Sequence, residues 1–118
     1  MRARNFLESL KYALAGVIYA VKTQRNLRFH FVAALLVFSL SFYLKLANLE
    51  LLFVVFATFL VIIAEMINTA VETVVDLASE NYHPLARIAK DVAAGAVLLS
   101  SVNAVITAIL VFGPKLMS

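Results

Sequence analysis

Three carboxylate side chains and one amide recur along a single stretch of the chain at spacings of three and four residues. They are Glu65, Asn68, Glu72 and Asp76, in the run EMINTAVETVVD. On an α-helix, which turns about 100° per residue, these four side chains fall within an arc of roughly 80°. We call this arc the acidic face. Acidic side chains in or beside an apolar membrane helix are costly, so the acidic face is predicted to be functional.

The acidic face could hold a metal ion or provide a base. Carboxylates one or two helical turns apart repel each other unless a cation lies between them, and Mg²⁺ prefers oxygen ligands. With no cysteine and two histidines in the chain, a softer metal is disfavoured. Without a metal, Glu65 could act as a general base on a hydroxyl group in the membrane. The structural alternative is that the outer acids only form ion pairs near helix ends, for example with Arg25, Arg28 or Arg87.

A second polar stretch, residues 79–91, reads SENYHPLARIAKD. Pro84 suits the first turn of a helix, and Arg87, Lys90 and Asp91 would then lie along one side of its beginning. Basic groups beside a helix start suit phosphate oxygens. The alternative is a basic anchor at the membrane surface, with Arg87 and Asp91 forming an i,i+4 pair.

Other polar residues carry weaker signals. His30 and His83 are single histidines without a ligand pattern, and either is weak evidence for a site. Asn103 lies deep in an apolar run and is predicted to bond another helix rather than a substrate.

Composition indicates the elements that must position these residues. The chain has 118 residues, of which 64% are hydrophobic and 14% charged, against about 45–50% and 25% in soluble domains. So few charged side chains cannot cover a soluble core of this size, and such an apolar chain is not disordered. The absence of cysteine excludes disulfides and thiolate sites, and three glycines with two prolines disfavour a turn-rich β fold. The predicted fold class is an all-α integral membrane protein.

Three runs free of Asp, Glu, Lys and Arg mark three membrane spans: residues 29–44, 51–64 and 92–114. The segment before them is amphipathic and is predicted to lie in the membrane interface, with a packed surface helix as the alternative. Its internal charges argue against a cleaved secretory signal. The chain is thus predicted to be one membrane domain, 1–118, with a surface helix and three transmembrane helices: 5–24, 27–46, 49–80 (extended into the cytoplasm) and 84–113.

The basic residues predict the orientation. Eight of the ten lie before the first span or between the second and third: Arg2, Arg4, Lys11, Lys22, Arg25, Arg28, Arg87 and Lys90. Lys45 and Lys115 fall on the other side. The positive-inside rule therefore places the N-terminus and residues 79–91 in the cytoplasm. Asn48, in the short outer turn, is expected to cap the second transmembrane helix.

With these motifs the chain resembles the prokaryotic diacylglycerol kinase family of small integral-membrane lipid kinases, in particular its Gram-positive branch, which phosphorylates undecaprenol. The resemblance runs from about Phe6 to Phe112. It is most specific in the acidic face with Thr69 and Ala70, in Tyr82-His83, and in the run AKDVAAGAVL that begins at Ala89.

The resemblance implies roles for individual residues. Glu65 matches the family's catalytic base, Glu72 the carboxylate that holds Mg²⁺ at the ATP phosphates, and Asn68 the polar neighbour between them. The residues that match nucleotide contacts are Tyr12, Asn81, Tyr82, His83, Lys90 and Asp91. Gln24 departs from the pattern, because the family usually has a second metal-binding glutamate there. An amide offers a metal one neutral oxygen, so reduced activity or metal affinity, compensation by Glu72, and an inactive variant all stay open.

The resemblance further implies a homotrimer with active sites shared between protomers, in a bacterial cell membrane, and with no nucleic-acid partner. The predicted function is transfer of the ATP γ-phosphoryl group to a lipid hydroxyl at the cytoplasmic interface, with undecaprenol and diacylglycerol both open as substrates. The alternative is a non-enzymatic membrane protein or ion-coupled carrier subunit that uses Glu65 and Asn68 as a cation path.

Overall fold

A computed structural model of the chain describes residues 5–118. It contains four helices: α1 (Phe6–Thr23), α2 (Arg25–Tyr43), α3 (Asn48–Ala78) and α4 (Pro84–Met117). The described part of the chain has no strand, which confirms the all-α prediction. Arg2 and Arg4, which were counted in the orientation argument, lie outside the described residues.

Helices α2, α3 and α4 are long and apolar enough to cross a membrane, as predicted. They contain 19, 31 and 34 residues, which corresponds to about 28, 46 and 51 Å at 1.5 Å per residue. A hydrocarbon core is about 30 Å thick, so α3 and α4 extend beyond it. The extra turns of α3 include Glu72 and Asp76, whereas Glu65 lies in the part that can remain within the membrane.

Side-chain hydrogen bonds cap the beginnings of α1, α3 and α4. Asn5 Oδ1 accepts a hydrogen bond from the Glu8 amide (2.9 Å) at the start of α1, and Pro84 begins α4 as predicted. The expectation that Asn48 caps α3 is wrong, because Ala47 occupies the N-cap position and Asn48 is already helical. The helix starts at Asn48, one residue before the predicted start. This start lets the Glu50 side chain accept a hydrogen bond from the Ala47 N–H (2.9 Å).

α3 is the central element of the fold. It packs along α4 over the largest surface, along α2 over a smaller one, and it also contacts α1. One buried apolar cluster joins α1, α2 and α3 through Ala20, Leu27, Ala34 and Ile62. A second cluster joins the beginning of α3 to the end of α4 through Val54, Val111 and Phe112. The first cluster lies one turn from Glu65 and holds that part of the acidic face against α2.

Large apolar side chains are exposed along all four helices, such as Phe29, Phe56 and Leu99 on the three long helices. In water such surfaces would be unfavourable, whereas hydrocarbon or another copy of the chain covers them without cost. On α1 the exposed apolar residues include Phe6, Leu14 and Ile18. This helix therefore presents apolar side chains to its surroundings although it is not among the three candidate spans.

Candidate active site

Glu65 is buried in the middle of α3, with 6% of its surface exposed. Its Oε1 lies 3.4 Å from Nε2 of His30, in the second turn of α2. The backbone around it is regular, and Thr69 Oγ1 donates back to the Glu65 carbonyl (3.0 Å). The buried Glu65 carboxylate thus faces an imidazole from a neighbouring helix. The sequence did not indicate this partner, because His30 is a single histidine without a ligand pattern.

Asn68 and Glu72 follow Glu65 on the same face and contact each other. Asn68 Nδ2 donates to Glu72 Oε1 (2.9 Å), and both side chains are half-buried. Asn68 Oδ1 is buried and has no hydrogen-bond partner among the described residues. A buried oxygen without a donor is unfavourable by about 1–3 kcal/mol, so this atom is a candidate ligand for a cation or a bound donor.

A cavity of about 300 Å³, which we call the loop cavity, opens between the end of α3, the loop at 79–83 and the start of α4. It brings together six polar residues that the sequence singled out: Asp76, Asn81, Tyr82, His83, Arg87 and Lys90. The remaining lining residues are Val75, Ser79, Glu80 and Ala86. The cavity is open to solvent, and its two basic side chains are of the type that binds an anionic ligand.

The charged residues at the loop cavity already have partners. Lys90 Nζ lies 2.7 Å from Asp76 Oδ1, which connects α4 to the outer end of the acidic face. Arg87 Nε lies 3.1 Å from Asp91 Oδ1, which is the i,i+4 pair expected from the spacing. Asp76 thus forms an ion pair with a basic residue near a helix end, as the structural alternative predicts, but its partner is Lys90 and not one of the arginines given as examples. Exposed pairs of this kind contribute little to stability and exchange readily.

His83 fixes the geometry where the loop meets α4. Its Nδ1 accepts a hydrogen bond from the Leu85 amide (3.1 Å) and so caps the helix. The ring nitrogen Nε2 takes no part in this bond, and His83 remains exposed at the cavity. His83 therefore caps α4 in addition to its predicted contact with the nucleotide.

Tyr12 and Gln24 lie apart from the loop cavity. Tyr12 is exposed in the middle of α1, and Gln24 is half-buried at the junction of α1 and α2. Gln24 Nε2 makes one long contact, to Thr23 Oγ1 (3.4 Å). Neither residue lines the cavity. Between Asn5 and Ser118, no group of three or more His, Cys, Asp or Glu side chains is arranged to hold a metal ion.

Arg28 fixes the junction that contains Gln24, a role that the sequence did not indicate. Its Nη1 donates to the carbonyl oxygens of Val21 and Lys22, each at 2.9 Å. These carbonyls belong to the last turn of α1, where no further helix residue can donate to them. The guanidinium therefore holds the end of α1 against the start of α2, in place of pairing with an acid of α3.

A family model described as "Prokaryotic diacylglycerol kinase" matches residues 11–112 of the chain. A "Diacylglycerol kinase" from Synechocystis sp. is 45% identical over 117 residues, which cover 98% of this chain and 67% of that protein. An "Undecaprenol kinase" from Bacillus subtilis is 38% identical over 111 residues, covering 94% and 90%. A "Diacylglycerol kinase" from Escherichia coli is 32% identical over 101 residues, covering 86% and 83%.

Proposed function

Because the chain belongs to the prokaryotic diacylglycerol kinase family of lipid kinases, we propose that it transfers the γ-phosphoryl group of ATP to a lipid hydroxyl group. The proposed substrates are undecaprenol and diacylglycerol. The proposed location is the cytoplasmic face of a bacterial membrane. The prediction of a lipid kinase is confirmed by the family. A kinase of this family uses ATP, and three helices that could cross a membrane are in keeping with a lipid substrate. Family membership favours this function over the ion-coupled carrier.

The main support for the proposal is the arrangement of one face of α3. This face has a buried carboxylate and, further along, polar side chains that lead to the solvent-open loop cavity. Glu65 is buried within a helix that is long and apolar enough to cross a membrane, and Asp76 lines the loop cavity. About 16 Å of helix separates these two residues, with Asn68 and Glu72 between them. A lipid alcohol from the membrane and a nucleotide from water can therefore approach the same face from opposite ends.

In the proposed reaction, Glu65 takes the proton of the lipid hydroxyl as its oxygen bonds to the γ-phosphorus. The bond between that phosphorus and the bridging oxygen of ADP breaks, so the bond count at phosphorus is conserved. Such transfer depends on positioning and charge neutralisation rather than on a covalent intermediate with the protein. Lys90 and Arg87 supply positive charge beside the loop cavity for the phosphates, and Tyr82, His83, Asn81 and Asp91 complete the nucleotide side.

Within one protomer, Glu72 and Asn68 offer part of a ligand set for a hard divalent cation, since the described residues hold no group of three metal-binding side chains. Glu72 is half-buried, accepts a bond from Asn68, and leaves the partnerless Asn68 Oδ1 nearby. These are oxygen donors, of the type that Mg²⁺ prefers. Mg²⁺ held there with ATP would neutralise charge that develops on the phosphates. We propose Glu72 as its ligand, supported by Asn68, with Gln24 as a weaker ligand because its amide oxygen is neutral.

Tyr12 and Gln24 lead to a proposal about assembly. Both match family positions at the nucleotide, yet in one chain they lie away from the loop cavity. A protomer of 118 residues offers little volume to enclose both ATP and a long lipid, and its long helices expose apolar surface. These features support a homotrimer in which neighbouring protomers share each site. The distribution of Lys and Arg supports the cytoplasmic placement of the N-terminus and the loop cavity.

The test is phosphorylation of defined lipids by the purified chain. We expect transfer of radiolabel from γ-labelled ATP to undecaprenol, to diacylglycerol or to both in mixed micelles, and loss of transfer after Mg²⁺ is chelated. Running the two lipids in parallel at equal mole fraction decides the preferred substrate. A folded protein that labels neither lipid would contradict the proposed substrates.

A further inference from the structure

His30 and Glu65 are the two residues through which α2 meets the acidic face. The Nε2 to Oε1 distance is 3.4 Å, and 22% of the His30 side chain and 7% of the Glu65 side chain are exposed. The three other ion pairs in the described part of the chain involve acids with at least 35% of the side chain exposed. His30 is therefore the partner of the acid that is most costly to bury.

The surroundings hold the imidazole of His30 in place. Leu27, one turn earlier on α2, is fully buried in the cluster that joins α1, α2 and α3. The ring of Phe29 packs edge-on against the His30 ring, with centroids 5.6 Å apart. On its other side, His30 borders a small cavity of about 100 Å³ that Thr58 of α3 also lines. The contact with Glu65 thus comes from a packed helix and not from a mobile surface side chain.

We infer that His30 is a positioning residue for Glu65: its imidazole, whose Nε2 lies 3.4 Å from Oε1, orients the carboxylate through that oxygen and leaves the second oxygen free for the lipid hydroxyl. The inference rests on the proposed function, in which Glu65 is the base. A carboxylate on a three-bond side chain rotates unless a donor fixes it, and a base must be oriented within hydrogen-bond reach of its proton. In this assignment the proton of the lipid hydroxyl ends on Glu65.

The assignment separates His30 from a merely structural histidine. A structural residue affects folding and lowers the amount of active enzyme, whereas a residue that orients the base affects the rate of the chemical step. We therefore expect His30 variants to change kcat while KM for ATP and KM for the lipid remain within about twofold of the wild type.

The decisive pair of variants is His30→Gln and His30→Met. The two replacements have similar length and volume, but glutamine retains an N–H donor and methionine has none. We expect kcat to fall about 10- to 100-fold in His30→Met, as for loss of a hydrogen bond to a charged group. His30→Gln should stay within about fivefold of wild type. Both are measured in micelles with saturating lipid and ATP, alongside the thermal unfolding midpoint of each protein.

Thr58→Val is the matched control. Thr58 lines the same cavity as His30, but its hydroxyl donates to the Val54 carbonyl of its own helix (2.7 Å). We expect wild-type kcat from this variant, because it alters the cavity without altering the contact with Glu65.

The outcomes separate this inference from the proposed function. Equal kcat values for folded His30→Gln and His30→Met, whether high or low, would overturn the positioning role of His30. The assignment of Glu65 as the base would still stand if Glu65→Gln is inactive. A low kcat in Thr58→Val would assign the effect to the cavity and overturn the inference in the same way. Failure of the wild-type chain to phosphorylate either lipid would count against the proposed function itself.

Discussion

The two ends of the acidic face differ in the way their charges are compensated. At one end Glu65 is 6% exposed and faces an imidazole at 3.4 Å. At the other end the Asp76 side chain is 68% exposed and pairs with the Lys90 ammonium at 2.7 Å. A buried carboxylate costs several kcal/mol of desolvation, whereas an exposed ion pair contributes about 0–1 kcal/mol.

This difference indicates different uses for chemically similar groups. The buried end is rigid and holds a single acid that water cannot compensate, as a fixed base requires. The exposed end consists of pairs that a polyanion can rearrange at small cost, because Lys90 and Arg87 lose little when they leave their present partners. Asn68 and Glu72, half-buried between the ends, bond to each other and present oxygen atoms in the stretch that separates the two regions.

The largest effect is expected from Glu65→Gln, which replaces the carboxylate that we propose as the base. The amide keeps the shape of the side chain but cannot take up a proton, so phosphorylation should fall by at least about 10²- to 10⁴-fold. Binding of ATP should change by less than about twofold, because the loop cavity lies further along α3. Radiolabel transfer and calorimetry measure the two quantities. An active Glu65→Gln protein would remove the distinction between the two ends of the acidic face.

A smaller effect is expected from Glu72→Gln, in the middle of the face. Loss of one carboxylate from an oxygen-ligand set should weaken binding of Mg-ATP about 10- to 100-fold, measured by calorimetry. The matched control is Glu50→Gln, the same change at the opposite end of α3, where Glu50 meets Lys115 at 3.2 Å. It should leave Mg-ATP affinity at the wild-type value. Unchanged affinity in Glu72→Gln would assign the metal to other residues.

At the exposed end, Asp76→Asn should increase the affinity for ATP by about two- to fivefold, because it releases Lys90 from its pair. The gain should disappear as the salt concentration rises from about 0.05 M to 0.5 M, since exposed charges are then screened. Lys90→Met is the companion variant and should weaken ATP binding at low salt. A large, salt-independent effect of Asp76→Asn would show that this end resembles the buried one.

The helices and the acidic face were predictable because their causes are local. Backbone groups in a bilayer must bond within the segment, so an apolar run of sufficient length predicts a spanning helix. The 3.6-residue period then places Glu65, Asn68, Glu72 and Asp76 on one face whatever the rest of the chain does. Pro84 at the start of α4 follows from the same local chemistry.

Contacts between helices were not predictable in the same way. The pairing of His30 with Glu65 depends on the rotation of α2 against α3, which the packing of Ala20, Leu27, Ala34 and Ile62 sets. The choice of Lys90 over an arginine for Asp76 depends on the path of the loop between α3 and α4. Arg28 likewise bonds carbonyls of α1, a partner that no spacing along the chain indicates.

The smallest effect is expected at Gln24, outside both ends of the face. Its amide makes one long contact with Thr23 (3.4 Å), so conversion to a carboxylate breaks little of the structure. If Gln24 approaches the metal in the assembled enzyme, Gln24→Glu adds a negative charge to the ligand set and should lower the Mg²⁺ concentration for half-maximal activity by about two- to threefold. Asn26→Asp makes the same change of charge two residues away, on the exposed side of α2, and should leave the Mg²⁺ dependence unaltered. Equal effects of the two variants would indicate a general change in charge at the membrane surface. No effect of Gln24→Glu would show that the proposed metal site at Glu72 does not use Gln24.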